Sequence, residues 1–356
     1  MSVKTVASIV GARPQFIKAA PVSRALAASF REVLIHTGQH YDYGMSDVFF
    51  QEMEMHPPDF HLGIGGGTHG EQTGKMLMEI EKILNAVKPD CVLVYGDTNS
   101  TLAGALAAAK TQIPLAHVEA GLRSYNRAMP EEINRVLTDH VSALLFCPTD
   151  AAIENLAKEG ITNGVHRVGD VMYDALLHNL VLARKHSTIL EVLGLEKRTY
   201  ALATVHRAAN TDDPARMNAI LNALGSLSTR VVFPVHPRTH KIIRESGLSV
   251  SKNVVMIEPV SHFDILILQE NADCILTDSG GMQKEAYVLG VRCITLREET
   301  EWVETVHAAW NKLVGADVNA IRDAFETWHP SGERPALYGN GQAAGEICQI
   351  LNAELS

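Results

Sequence analysis

Thr277-Asp-Ser-Gly-Gly-Met-Gln-Lys-Glu285 follows an apolar run, Cys274-Ile-Leu276, and leads into Ala286-Tyr-Val-Leu289. Apolar run, glycine pair and renewed apolar pattern spell strand, tight turn and helix. Ser279 is suited to cap the helix, and Gly280 and Gly281 remove side chains where the backbone is expected to bend. Such a turn presents free N–H groups at the positive end of a helix, a place for phosphate. Glu285, one turn further on, is placed to accept hydrogen bonds from ribose hydroxyls. An ordinary strand-to-helix turn would carry the same pattern, so the rest of the chain has to decide.

Working outward, the strand-turn-helix unit recurs. Apolar runs of strand length occupy 3–10, 33–37, 91–95, 115–118 and 144–147, with helical patterns at 16–28, 71–87, 101–110 and 131–142. After a long helical stretch at about 169–191, a second series runs through 200–205, 230–235, 254–257, 274–277 and 291–296. Alternating β and α units imply parallel sheets covered by helices on both faces. The fold expected is α/β, with two Rossmann-like doubly wound domains. The first covers 1–170, and the second, nucleotide-binding, covers 171–340. A last helix, about 341–356, is expected to pack back on the first domain. A length of 356 residues suits two such domains.

Hydrophobic residues at 46% and charged residues at 20% describe a globular chain. A net charge of −10 argues against a nucleic-acid groove, which needs a basic surface. No apolar run approaches membrane-spanning length. The start, Met1 to Val10, resembles a signal peptide only superficially and reads as a first strand feeding Gly11-Ala-Arg-Pro14. The five cysteines are scattered, which predicts buried free thiols in a reducing cytoplasm and no zinc site.

In open α/β sheets, ligands bind beyond the carboxyl ends of the strands. Five further strand ends carry polar residues. Gly11-Ala-Arg-Pro-Gln-Phe-Ile-Lys18 sets Arg13 and Lys18 beside a glycine turn. In Tyr95-Gly-Asp-Thr-Asn-Ser100, Asp97 is either a helix cap or a general acid/base. In His117-Val-Glu-Ala-Gly-Leu-Arg123, Glu119 ends a strand, and alternation places His117 on its side of the pleat. In Pro130-Glu-Glu-Ile-Asn-Arg135, one of Glu131 and Glu132 suits the helix dipole, and Arg135 is spaced to hold Glu131. Thr204-Val-His-Arg207 occupies the corresponding place in the second domain, with His206 and Arg207 expected to face the crevice between domains. His236-Pro-Arg-Thr-His240 is similar, and Pro237 points to a phosphate-side or structural role for His236 over a metal site.

With these stretches in order, the chain resembles the non-hydrolysing UDP-N-acetylglucosamine 2-epimerases nearly end to end. The resemblance rests on Gly11-Ala-Arg-Pro, Gly96-Asp-Thr, His117-Val-Glu-Ala-Gly-Leu-Arg, Pro130-Glu-Glu-Ile-Asn-Arg, His206-Arg and Asp278-Ser-Gly-Gly-Met-Gln-Lys-Glu. It implies the GT-B fold with the active site in the cleft between the domains. It also implies a homodimer, a UDP-sugar substrate and no metal or nicotinamide cofactor. By motif match, Arg13, His206, Ser279, Gly280, Gly281 and Glu285 would bind UDP, with Arg135, His236 and Trp302 as further substrate contacts. Lys18, Asp97, Glu119, Glu131 and His206 would surround the chemistry. Several departures resemble the subgroup that epimerises UDP-2,3-diacetamido-2,3-dideoxy-glucuronate to its manno isomer for surface-polysaccharide synthesis. Gln15 stands where Glu is usual, Trp302 stands where Arg is usual, and the loops 36–42 and 65–70 are altered. Activation by a second UDP-sugar near 39–42, a property of several bacterial relatives of the family, is therefore not carried over to this chain. The alternatives are epimerisation of UDP-N-acetylglucosamine to UDP-N-acetylmannosamine and, more distantly, a GT-B glycosyltransferase.

Overall fold

The structure, a computed structural model, describes residues 3–39 and 55–355, with the side chain of Arg13 excepted. The chain divides into two compact units, Met1–Leu177 with Ala336–Ser356, and His178–Pro335.

The first unit holds strands β1 (Thr5–Val10), β2 (Arg31–His36), β3 (Phe60–His61), β4 (Cys91–Tyr95), β5 (Leu115–Val118), β6 (Leu144–Cys147) and β7 (Val165–Arg167). Between them run helices α1 (Arg13–Leu26), α2 (His69–Val87), α3 (Asn99–Lys110), α4 (Pro130–Val141) and α5 (Asp150–Lys158). The sheet is parallel in the order β3-β2-β1-β4-β5-β6-β7. Every residue of β4, β5 and β6 is buried, because helices cover both faces. Such strands read as unbroken apolar runs, which is why they were legible. β3 and β7 are edge strands of two and three residues without an apolar run, and the sequence pattern missed them.

Helix α6 (Val171–His186) leads into the second unit, which adds α7 (Ile189–Leu193), β8 (Tyr200–Thr204), α8 (Ala208–Thr211), α9 (Pro214–Ser226), β9 (Arg230–Pro234), α10 (Pro237–Glu245), β10 (Val254–Ile257), α11 (His262–Asn271), β11 (Cys274–Thr277), α12 (Gly280–Leu289), β12 (Arg292–Thr295), α13 (Val303–His307), β13 (Asn311–Leu313) and α14 (Val318–Thr327). Its parallel sheet runs β10-β9-β8-β11-β12-β13. The short edge strand β13, Asn-Lys-Leu, likewise carries no apolar run. The last helix, α15 (Ala343–Glu354), buries Ala343, Ala344, Ile347, Cys348 and Leu351 in the core that also contains Phe16, Val22 and Leu26 of α1.

Both sheets reverse their strand order at one place, between β1 and β4 and between β8 and β11. Such switch points open a crevice at the carboxyl ends of the strands, where ligands of this architecture sit. All five cysteines are buried free thiols. Among the described residues, no helix is long and apolar enough to cross a membrane.

Candidate functional site

The switch point of the first unit is built on glycines and one amide. Gly11 follows β1, and a methyl group there would collide with the hydroxyls of Ser100 and Thr37. Gln15 is 1% exposed, and its side chain is fully used. Its Oε1 accepts the N–H groups of Gly11 at 2.8 Å and Ala12 at 3.1 Å. Its Nε2 donates to the Tyr95 carbonyl at 2.8 Å and to Thr101 Oγ1 at 3.0 Å. A carboxylate could not make the last two bonds. Gln15 is thus a clamp between the ends of β1 and β4. Arg13 opens α1, and its side chain lies outside the described residues, as does the stretch 40–42 of the altered loop.

Lys18 and Glu119 form an ion pair, with side chains 11% and 12% exposed. Glu119 reaches Lys18 by an unusual backbone: its φ is 73°, left-handed for a residue with a Cβ. The strand therefore ends at Val118, and the N–H groups of Glu119 and Ala120 both donate to the Phe146 carbonyl at 3.1 Å. Gly96 makes room for the pair. A Cβ on it would lie 3.0 Å from Lys18 Nζ and 3.3 Å from Glu119 Oε2.

Asp97 is not the helix cap. Thr98 caps α3, accepting from the Thr101 N–H, and this leaves the Asp97 carboxylate to the Arg135 guanidinium. Asn134 donates to the Asp97 carbonyl at 2.9 Å. The expected Glu131–Arg135 pair is corrected: Arg135 holds Asp97 and, at 3.5 Å, Glu132. Glu132 turns inward because the 124–125 loop offers it donors, the Ser124 N–H at 2.9 Å, the Ser124 hydroxyl at 2.8 Å and the Tyr125 N–H at 2.8 Å. Burial works against its charge, but these bonds and Arg135 outweigh it and hold the carboxyl below the usual range. Glu131 stands exposed in the first turn of α4. His117 does not share the Glu119 side of the pleat, since alternation fails once Glu119 turns left-handed. Its ring is fully buried between Asp139 and the Gly96 carbonyl.

In the second unit, Ser279 caps α12 through the Met282 N–H at 3.5 Å. The expectation that both glycines serve a bend is corrected. Neither Gly280 nor Gly281 has a left-handed φ, and both lie in the helix. Gly280 is needed for close approach, because a methyl there would collide with the Glu301 carboxylate. Lys284, 4% exposed, lies over the Trp302 ring at 4.8 Å, so Trp302 packs beside the turn. Glu285 accepts from Gln269 at 2.7 Å, and burial raises its pKa.

His206 sits at the end of β8 with its ring about half exposed, Nδ1 3.7 Å from Asp278 Oδ1. Asp278, fully buried, organises this turn. It accepts the N–H of His206 at 3.1 Å, that of Arg207 at 3.0 Å and the Asn210 amide at 3.0 Å. It closes β11 as Asp97 closes β4, so its place at a strand end was a signal the sequence offered. His236 is exposed and caps α10, its Nδ1 accepting from the Arg238 N–H at 3.3 Å. The site residues thus gather in two groups, one at each switch point, with Glu131 and His236 at their margins.

The family model described as UDP-N-acetylglucosamine 2-epimerase matches residues 24–352. The chain belongs to this family. It is similar to a UDP-N-acetylglucosamine 2-epimerase homolog of Methanococcus maripaludis, 51% identical over 97% of this chain and 99% of that protein. It is also similar to the UDP-2,3-diacetamido-2,3-dideoxy-D-glucuronate 2-epimerase of Pseudomonas aeruginosa, 48% identical over 97% of this chain and 98% of that protein. The solved UDP-GlcNAc 2-epimerase of Methanocaldococcus jannaschii, in complex with UDP-GlcNAc and UDP, matches with a TM-score of 0.82 and 44% identity over 98% and 99% of the two chains. The fold class is accordingly GT-B-like, and the chain is an isomerase, a non-hydrolysing UDP-sugar 2-epimerase.

Proposed function

We propose that this epimerase interconverts UDP-2,3-diacetamido-2,3-dideoxy-glucuronate and its manno isomer, supplying a sugar for surface-polysaccharide synthesis. The epimerase chemistry, common to either sugar, is supported by the pairs Lys18–Glu119 and Asp97–Arg135 at the ends of the neighbouring strands β4 and β5. Two carboxylates, each beside a cation, suit proton transfer at one carbon.

The C2 proton of a 2-acetamido sugar has no adjacent carbonyl to acidify it. Breaking the C1–O bond first, with the electron pair leaving on UDP, creates an oxocarbenium-like centre that does. A carboxylate then removes the C2 proton to give a glycal and UDP. Returning a proton to the opposite face of C2, and the UDP oxygen to C1, inverts C2 with all atoms conserved. Asp97, Glu119 and Glu131 are the acid/base candidates. The N–H groups at the start of α12, Ser279, His206 and Arg13 are assigned to the departing UDP, and Glu285 to the ribose. Lys18, already paired with Glu119, is assigned to that carboxylate and not to the sugar's C6 carboxylate.

The diacetamido sugar is favoured by the 48% identity to the Pseudomonas enzyme and by Trp302 packed beside the nucleotide turn. Plain UDP-GlcNAc is the second reading, favoured by the 44% identity to the Methanocaldococcus enzyme solved with it. Proton NMR in D2O with each sugar offered separately decides. Deuterium entering C2 of the uronate alone is the expected result. Exchange with UDP-GlcNAc alone overturns the substrate, and exchange with neither overturns the epimerase reading of the site.

A further inference from the structure

We propose that Asp139, acting through His117, is a positioning residue that ties together the two turns bearing Asp97 and Glu119. The inference rests on the reading of those two carboxylates as the acid/base groups. Asp139 lies on α4 with its side chain fully buried, as does His117 in β5. Neither can touch a substrate, so their effect must pass through what they hold.

The connections are short and run to both turns. Asp139 Oδ2 accepts the Gly121 N–H at 3.1 Å, two residues beyond Glu119, and Arg123 Nη1 at 2.7 Å. Asp139 Oδ1 faces His117 Nδ1 at 2.7 Å. On the other side of the ring, His117 Nε2 lies 2.7 Å from the Gly96 carbonyl, one residue before Asp97. A carbonyl only accepts, so Nε2 carries a proton and donates it. Arg123 is anchored in turn by Glu159, through two bonds of 2.7 Å.

Burying a charged pair is weak evidence of stability, since apolar residues of similar volume often serve as well. Here the pair sits where two turns need restraint. Glu119 has a left-handed backbone that would relax if unsupported, and Gly96 turns with a φ of 63°. The tether meets both. Burial opposes the Asp139 charge, but the bonds and charges of His117 and Arg123 prevail and hold its carboxyl below the usual range.

The test compares His117→Gln, His117→Asn and Asp139→Asn with the wild type. Gln places an amide nitrogen near the Nε2 position and keeps a donor for the Gly96 carbonyl but not for Asp139, and Asn places one near the Nδ1 position and keeps the reverse, so each variant breaks one arm of the tether. All three are expected to bind UDP as the wild type does by calorimetry and to keep KM for the sugar within about threefold. Misplacing acid/base groups by about 1 Å costs about 100-fold in turnover, so kcat for C2 exchange should fall by that order in His117→Asn and Asp139→Asn. His117→Gln, which cuts Asp139 from the Gly96 turn, should fall with them. A wild-type kcat in either His117 variant overturns the proposal, as does a loss that appears in KM or UDP binding with kcat intact.

If the variants do not fold, 15N NMR of the histidine ring in the wild type decides. A proton on Nε2 coupled to the Gly96 carbonyl is expected, and its absence refutes the tether. Wild-type protein silent toward both sugars would sink the functional reading, and the ring spectrum would still judge the tether separately.

Discussion

His36 ends β2 with 1% exposure, its ring stacked on His61 at 4.4 Å and on Phe16 at 5.0 Å between centroids. Burial, and then the neighbouring His61, lower its pKa from 6.5 to about 4. The sign follows from proton linkage. Below pH 6.5 the unfolded chain takes up a proton that the folded chain refuses until about pH 4. His36 therefore contributes fully above pH 6.5, and stability is lost as pH falls towards 4, by at most about 3 kcal/mol. His56 runs the other way. The Glu32 carboxylate raises it to about 9, so its contribution is complete below pH 6.5 and does not alter the acid window. Urea unfolding of wild type and His36→Phe between pH 7.5 and 4.5 checks this. The wild type should lose more stability than the variant over that range, and parallel curves would clear His36 of the effect. The chemistry of Gln15 was equally hidden from the sequence. Gln15 stands out in the sequence only as a departure from the usual Glu, and its four partners show why Glu would not serve in the same bonds.

At the scale of elements, the turns that follow the strands set the geometry of both groups, and glycines work there by two different means. Gly121 has a φ of 78°, and a methyl group would collide with the Ala152 carbonyl of α5, which is backbone and cannot yield. Gly280 is helical, and its obstacle is the Glu301 carboxylate, 45% exposed and able to swing away from Arg297 and Arg207. Gly121→Ala should therefore cost more than about 2 kcal/mol, and Gly280→Ala less than about 1 kcal/mol, the worth of ion pairs made by a half-exposed carboxylate. Urea unfolding measures both, and the reverse ranking would contradict the distinction. These turns also show what could be read without coordinates. Central strands were legible because burial on both faces makes them apolar throughout, and a polar residue at such a strand end stood out at Asp97, Glu119 and His206. The edge strands β3, β7 and β13 were not, since two or three residues carry no period. Nor was the Arg135 partnership, because i,i+4 spacing suggested Glu131, whereas the inward turn of Glu132 depends on a loop that only the fold brings near.

At the scale of the whole molecule, each unit carries its own hydrophobic cores. Those of the first gather Val6, Leu34, Leu93, Phe146 and Ile347, or Ile9, Ile80 and Val94, and those of the second gather Leu221, Phe233, Leu276 and Ile294, or Leu202, Leu268 and Cys293. The groups assigned to UDP lie mainly in the second unit, at the start of α12 and at Glu285. A ligand that binds only the folded state stabilises it by RT ln(1 + [L]/Kd), about 2.7 kcal/mol at a hundredfold excess over Kd. That gain should fall on the unit whose residues form the contacts. Native-state hydrogen exchange resolves the two, because the buried amides of β8, β11 and β12 report one core and those of β1, β4 and β5 the other. Saturating UDP is expected to slow the first set by close to the full linkage energy and the second by less. Ile347→Ala supplies the control. It removes a buried side chain from the first unit, at a cost of about 2–5 kcal/mol, and should speed exchange in β1, β4 and β5 while leaving the UDP-linked protection of β8, β11 and β12 in place. Equal protection of both sets would mean that the first unit holds the nucleotide as firmly as the second, and protection confined to β1, β4 and β5 would move the nucleotide away from Ser279, Gly280 and Glu285 altogether.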